Sequence, residues 1–293
     1  NSVVMAPGAV LSKLDDVHIP SCYLNITEQD FGCKKFRYEG LYSTNNTYVF
    51  VGNHSVQMHG ASLAASQVLM CAPNVYIHAN SSVDANYRGC LANTGYGAGG
   101  AQSSVNDGNP NGGGGGGYGG AGGAGYNAAN GGLGHFYKYA LSSGSGGGCF
   151  NCNLNQSVGG GLINIVANRT MLDGNLSAVG SDAMNGAGGG SGGSVAINSL
   201  AMSGQGHISA TGGDGGSGLY PGGGGGGGVV SLFNAIGSYQ DYSFSGFVNV
   251  DGGSAGIVLA SSSVYTSEAE YPFSSADDFY YYNASACAAP NLR

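Results

Sequence analysis

Gly161-Leu162-Ile163-Asn164-Ile165, Ser194-Val195-Ala196-Ile197, Gly228-Val229-Val230-Ser231-Leu232 and Gly256-Ile257-Val258-Leu259 are four short apolar segments, each emerging from a glycine-bearing stretch. Their first apolar residues, 162, 195, 229 and 257, stand 33, 34 and 28 residues apart, a spacing regular enough to imply a structural repeat. A second apolar segment recurs inside each unit: Asn175-Leu176-Ser177-Ala178, His207-Ile208-Ser209-Ala210 and Phe247-Val248-Asn249-Val250, echoed upstream by Ser82-Val83-Asp84-Ala85. Aliphatic residues alternate with small or polar ones in both sets, the period-two signature of strands with one face inward. Turns are expected at pairs such as Asp173-Gly174 and Ser203-Gly204.

A single unit of two short strands cannot bury its own apolar edge, whereas stacked units form a continuous interior. The expected fold is therefore all-β: a parallel β-helix-like stack in which Leu162, Val195 and Val229 are neighbours, interrupted by glycine-rich segments. Val75-Tyr76-Ile77-His78-Ala79 continues the same vocabulary upstream, and Leu63 to Met70 fits a strand as well as a short helix. Residues 1–20 read as an N-terminal arm and 21–263 as the glycine-rich domain with an insertion at 93–148. Residues 264–293 read as a tyrosine-rich tail.

Composition narrows the class. The 293 residues include 59 glycines and only 8% charged residues, far from the roughly 7% glycine and 25% charge of an ordinary soluble domain. A 42% hydrophobic fraction and 19 tyrosines supply apolar surface that disordered chains lack. The runs Gly112 to Gly117 and Gly222 to Gly228 allow two readings. They are flexible surface loops, or they are extended polyproline II-like strands packed closely because no Cβ intervenes. The absence of charge from Gly112 to Gly134 favours the ordered reading. Ordering costs roughly 1–2 kcal/mol per residue, so it requires dense lateral bonding.

The repeats Gly188-Gly189-Gly190-Ser191-Gly192-Gly193-Ser194-Val195-Ala196-Ile197, then Gly206-His207-Ile208-Ser209-Ala210-Thr211-Gly212-Gly213, then Gly222 to Gly228 with Val229, resemble the glycine-rich parallel β-helix repeats of algal and protist cell-surface and extracellular-fibre proteins. The likeness spans about residues 70–260. It implies a surface, adhesive or fibre-forming role, and neither residues 1–70 nor the tail carry it.

Glycosylation signals point to the compartment. Asn-X-Ser/Thr occurs at Asn25, Asn45, Asn53, Asn80, Asn155, Asn168, Asn175 and Asn283, about twice the roughly four expected from composition. An extracellular or cell-surface protein with covalent N-glycans is expected, its chain being the mature form. Seven cysteines show no zinc-ligand spacing. Oxidising conditions make Cys22 with Cys33, Cys71 with Cys90, and Cys149 with Cys152 plausible local disulfides, leaving Cys287 over. The sequence has no run of about 20 apolar residues, so no membrane span is expected.

Chemistry is sparse. Eight Lys and Arg against 16 Asp and Glu give a net charge of −8, and Lys34, Lys35 and Arg37 are the only basic cluster. Nucleic acid is not an expected partner. Carbohydrate-cleaving enzymes built from stacked strands need several carboxylates, or a calcium site with a base, on one face. The repeat region offers Asp173, Asp182, Asp214, Asp241 and Asp251, with Arg169 as its only base. Asp173 and Asp251 adjoin glycine at turns, where an Asx-turn role explains them. His18, His54, His59, His78, His135 and His207 are dispersed. No catalytic, metal or cofactor site is expected.

The reading is a structural glycoprotein, a self-assembling subunit of a surface fibre or coat and so a homopolymer. The apolar arm residues Val3, Val4, Met5, Val10 and Leu11 lack an obvious strand partner and are expected at a subunit contact, the other reading being an arm folded over its own domain. The alternative function is a carbohydrate-binding or adhesive module using Tyr271, Tyr280, Tyr281 and Tyr282.

Overall fold

A computed structural model of the chain describes residues 3–5, 10–11, 47–51, 54–103, 110–134, 142–150, 156–233 and 242–257. Regular structure in them is almost wholly β; the one helical element is a single 3-10 turn at Tyr126–Ala128. Every strand pairing is parallel.

The chain feeds two sheets in turn. The larger takes β1 (Val3–Met5), β3 (Thr47–Val51), β4 (Ser55–Met58), β6 (Gln67–Ile77), β8 (Leu162–Leu172), β10 (Ser194–Gly204), β12 (Val229–Phe233) and β13 (Tyr242–Phe244). Its order is β1-β4-β6-β8-β10-β12, with β3 also on β6 and β13 also on β10. The smaller takes β2 (Val10–Leu11), β5 (Ser62–Ala64), β7 (Ser82–Asp84), β9 (Asn175–Ser177), β11 (His207–Ser209) and β14 (Phe247–Asn249), ordered β2-β5-β7-β9-β11-β14. Each pass of the chain therefore lays one layer on both sheets.

Register follows burial. In the smaller sheet Leu11, Leu63, Val83, Leu176, Ile208 and Val248 occupy one column, as the second set of apolar segments predicts. In the larger sheet the expected alignment is off by one residue. Leu162 pairs with Ser194, and Ser194 with Val229, while Ile163, Val195 and Val230 form the inward column. Ile163 and Val195 are fully buried. The cause is that each segment begins with a residue on the opposite face, so matching first apolar residues does not match inward ones.

The long strands also exceed the four or five residues expected, running to 11 in β6, β8 and β10. Inward positions are 68, 70 and 72 in the first half of β6, then 75 and 77 in the second. The one-residue shift falls at Pro73, which cannot donate to the ladder; β8 and β10 shift at the same level, between Ala167 and Thr170 and between Ser199 and Met202. Polar residues there conceal the strand from a hydrophobic scan. In the first half the other face is covered too, with Leu69, Cys71, Val166 and Ala196 buried, which produces the near-continuous apolar run of a strand buried on both faces. The predicted strand at 256–259 is not one as far as Ile257, and 258–259 lie outside the described residues.

The glycine runs are ordered. Gly112–Gly117 donates backbone hydrogen bonds in three directions, each recurring at every third residue. Gly113 and Gly116 bond to the carbonyls of Gly186 and Gly189, Gly114 and Gly117 to those of Gly100 and Gly97, and Gly112 and Gly115 to those of Tyr126 and Gly123. Carbonyls of the same run accept from Gly223 and Gly226, from Gly148 and from Gly132. One rod thus touches six others, with the period of three that belongs to polyproline II geometry. Gly222–Gly228 repeats the pattern: residues 222, 225 and 228 donate to 216, 213 and 210, and residues 223 and 226 to 113 and 116.

The close approach leaves no room for a side chain. A Cβ on Gly115 would land on the carbonyl of Gly224, and one on Gly225 on the carbonyl of Gly190. Where serine appears in the lattice its hydroxyl serves the backbone. Ser145 Oγ accepts from the Gly97 amide, Ser181 Oγ from Val158, and Ser191 Oγ from Ser145.

Candidate interaction surfaces

The first surface is formed by the end strands of the two sheets. Val3–Met5 pairs with Val56–Met58 and Val10–Leu11 with Ser62–Leu63, so the arm has strand partners in its own chain. The sequence leaves both an own-domain fold and a subunit contact open for the arm, because β1 and β2 together make only one short layer and their partners lie some 50 residues away. At the opposite end, β12, β13 and β14 close the two sheets. Apolar residues there stay open: Phe247 is 57% exposed, Val248 39% and Leu232 37%.

The second surface is the outer face of the smaller sheet. Ser62, Ser82, Asn175, His207 and Phe247 occupy one outward column, and Ala64, Asp84, Ser177, Ser209 and Asn249 the other. Between β7, β9 and β11 they frame a shallow groove of ≈ 330 Å³ lined by Ser82, Asp84, Asn86, Asn175, Ser177 and His207. Several of its polar groups bond one another or nearby residues. Ser82 Oγ donates to Ser62 Oγ at 3.0 Å, Ser177 Oγ donates to Asn86 Oδ1 at 2.6 Å, and Asp84 Oδ1 accepts from the Asn86 amide at 2.7 Å. The His207 and Phe247 rings lie 5.9 Å apart.

Three further carboxylates bind backbone in the next layer. Asp173 Oδ1 accepts from the Gln205 amide at 3.0 Å, Asp182 Oδ1 from Asp214 at 2.8 Å, and Asp214 Oδ1 from Ser254 at 2.7 Å. Asp173 therefore bonds across layers as well as standing at a turn. Asp251 donates its amide to Asn249 Oδ1, and Asp241 lies outside the described residues. Histidines join layers in the same way, His59 stacking on His78 with ring centroids 4.0 Å apart. Among the described residues no group of three or more His, Cys, Asp or Glu could hold a metal ion.

Of the glycosylation signals, Asn80 and Asn175 are exposed and Asn168 is half-buried. Asn80 sits in a turn with φ of 63°, a backbone region asparagine tolerates well. Asn25, Asn45, Asn53, Asn155 and Asn283 lie outside the described residues, as do Cys22, Cys33, Cys152, Cys287, the basic cluster and the four tail tyrosines. Cys71, Cys90 and Cys149 are buried.

Tyr118 ties the glycine rods to the larger sheet. It is 5% exposed, its hydroxyl lies 2.6 Å from Ser194 Oγ and accepts from the Ser142 amide at 3.1 Å, and Ser194 Oγ donates to the Ser142 carbonyl at 2.8 Å. Burial pushes the phenol above its usual value of 10.0, opposed by its bonds to Ser142 and Ser194.

Among the described residues no helix is long and apolar enough to cross a membrane. No protein-family description, curated protein or solved structure matches this chain.

Proposed function

We propose that this chain is an extracellular structural glycoprotein, a self-assembling subunit of a surface fibre or coat. In this reading the two parallel sheets and the glycine rods form one β-helix-like stack, akin to the glycine-rich repeats of algal and protist surface proteins. N-glycans on the signal asparagines coat it, and disulfides joining Cys71 to Cys90 and Cys149 to Cys152 pin its layers. The observation that carries the reading is the six-neighbour bonding of Gly112–Gly117. A lattice bonded in three directions resists bending, and ordering so many glycines at roughly 1–2 kcal/mol each has its return in stiffness. The carboxylates that span layers serve the same end.

Electron microscopy of native material tests this directly. Regular filaments or sheets are expected, with glycan mass on tryptic peptides containing Asn80 and Asn175; isolated particles bearing no glycan would contradict it.

One observation favours the second reading, a carbohydrate-binding module. The groove at Asp84, Asn86, Asn175 and His207 pairs hydrogen-bonding groups with the nearby Phe247 ring, the combination sugar sites use. A glycan attached at Asn175 would occupy this groove itself. Glycan-array binding by monomer, with Asn175 unmodified, would support the module over the fibre.

A further inference from the structure

Resting on the fibre reading, we propose that copies join head to tail in one fixed register, with β13 and β14 of one copy laid on β1 and β2 of the next. Three observations lead there. First, the inward column of the smaller sheet is sealed in every inner layer, with Leu63, Val83 and Ile208 at 0% and Leu176 at 1%, yet Val248 in the last layer is 39% exposed. The larger sheet repeats this, with Met70, Ile165 and Ile197 at 0% and Leu232 at 37% in one column. Among the described residues, no further layer covers either apolar column at this end.

Second, the two ends match. Val3, Val56, Val75, Thr170, Met202 and Tyr242 share a column, as do Met5, Met58, Ile77, Leu172, Gly204 and Phe244. Leu11 and Val248 stand at opposite ends of another. The first layer thus occupies the same columns as the last, and all strands run one way, so a translated copy continues both sheets without reversing a strand. Third, the arm shows what such an edge accepts: a layer of two short strands, distant in sequence, already pairs on β4 and β5. Val3, Val4, Met5, Val10 and Leu11 then contribute one backbone edge to their own chain and the other to a neighbour.

Because the two joined surfaces differ, the contact is heterologous and does not close on itself unless successive copies rotate into a ring. Each junction would pair the last layer with the first, which is a usual remedy for unpaired strands.

The test uses the full-length protein carrying Val4→Cys and Ser243→Cys. These positions share a column, so across a junction their Cα atoms fall about 5 Å apart, within disulfide range. Mild oxidation is expected to give a ladder of covalent multimers on a non-reducing gel, well above that of either single variant. Adding Val248→Asp, at an edge layer whose loss leaves the inner layers intact, is expected to reduce the ladder by about tenfold. Filaments in the microscope without a ladder would overturn this register while leaving the polymer; monomers without a ladder would overturn both.

Discussion

Asp182 and Asp214 stand 32 residues apart in sequence and one layer apart in space, the carboxylate of the first accepting the amide of the second at 2.8 Å. Asp214 then repeats the gesture toward the amide of Ser254 at 2.7 Å. A side-chain ladder thus runs beside the backbone lattice and sets the height of each layer. Asp182→Ala should cost about 1 kcal/mol, the low end for a charge-assisted bond because the site is exposed. Asp182→Asn keeps an acceptor and should lose less than half of that. Denaturant midpoints of the two variants decide it; equal losses would mean that charge, not the bond, matters.

The rods predict a sharp contrast between two glycines five residues apart in sequence but set in different surroundings. At Gly115 a Cβ meets the Gly224 carbonyl, whereas at Gly120 its nearest neighbour is the Gly227 nitrogen at 3.4 Å, ordinary contact. Gly115→Ala should destabilise by about 3 kcal/mol or more, since backbone must move. Gly120→Ala should fall within about 1 kcal/mol of wild type. Thermal unfolding of both proteins checks the pair, and similar effects would mean that the rods are not packed as described.

Thr170 offers a gain. Its Oγ1 is buried without a hydrogen-bond partner, and the residue is 2% exposed in a column with Val75 and Met202. Thr170→Val removes that orphan at nearly constant volume and should stabilise by about 1 kcal/mol. A denaturant midpoint unchanged or lowered would show that the hydroxyl is satisfied. The same change deletes the signal at Asn168, so the comparison belongs on protein made without glycans.

Tyr118 predicts an alkaline weakness. Burial raises its pKa above the 10.0 of an exposed tyrosine, so above about pH 10 the unfolded chain binds fewer protons than the folded one. The neutral phenol's contribution is therefore complete below pH 10 and declines as pH rises through the folded value. Tyr118→Phe should lose about 1–2 kcal/mol at pH 7, from the bonds to Ser142 and Ser194, while its stability falls less steeply above pH 10. Parallel slopes for the two proteins between pH 9 and 11 would refute the burial argument.

Much of this arrangement is legible in the sequence, for reasons that also mark where reading stops. Val83, Leu176 and Ile208 align as their motifs indicate because each is a lone aliphatic between polar residues, which fixes the register, and Val248 joins them although Phe247 precedes it. Leu162 misleads because it precedes Ile163 in a run covered on both faces, where alternation vanishes. Thr170 to Leu172 hides a strand among polar residues, since half of that segment faces outward. The glycine runs declare close packing but not which rods meet, because residues without side chains carry no pattern. The bond from Asp182 to Asp214 shows only in a 32-residue spacing that becomes meaningful once the layers are stacked. Residues 3–11 look unpartnered since a partner for so short an arm cannot be recognised at such sequence distance.

The central claim is that copies of this chain continue one stack. Each sheet holds six successive layers in its main order, so at about 4.8 Å per layer a junction with no gap predicts a subunit rise of about 29 Å along the fibre. Helical reconstruction of native filaments measures that rise. A value near 29 Å together with a strong reflection near 4.8 Å along the axis is the expected result; filaments whose strands lie along the axis, or native material that contains single subunits alone, would contradict the account.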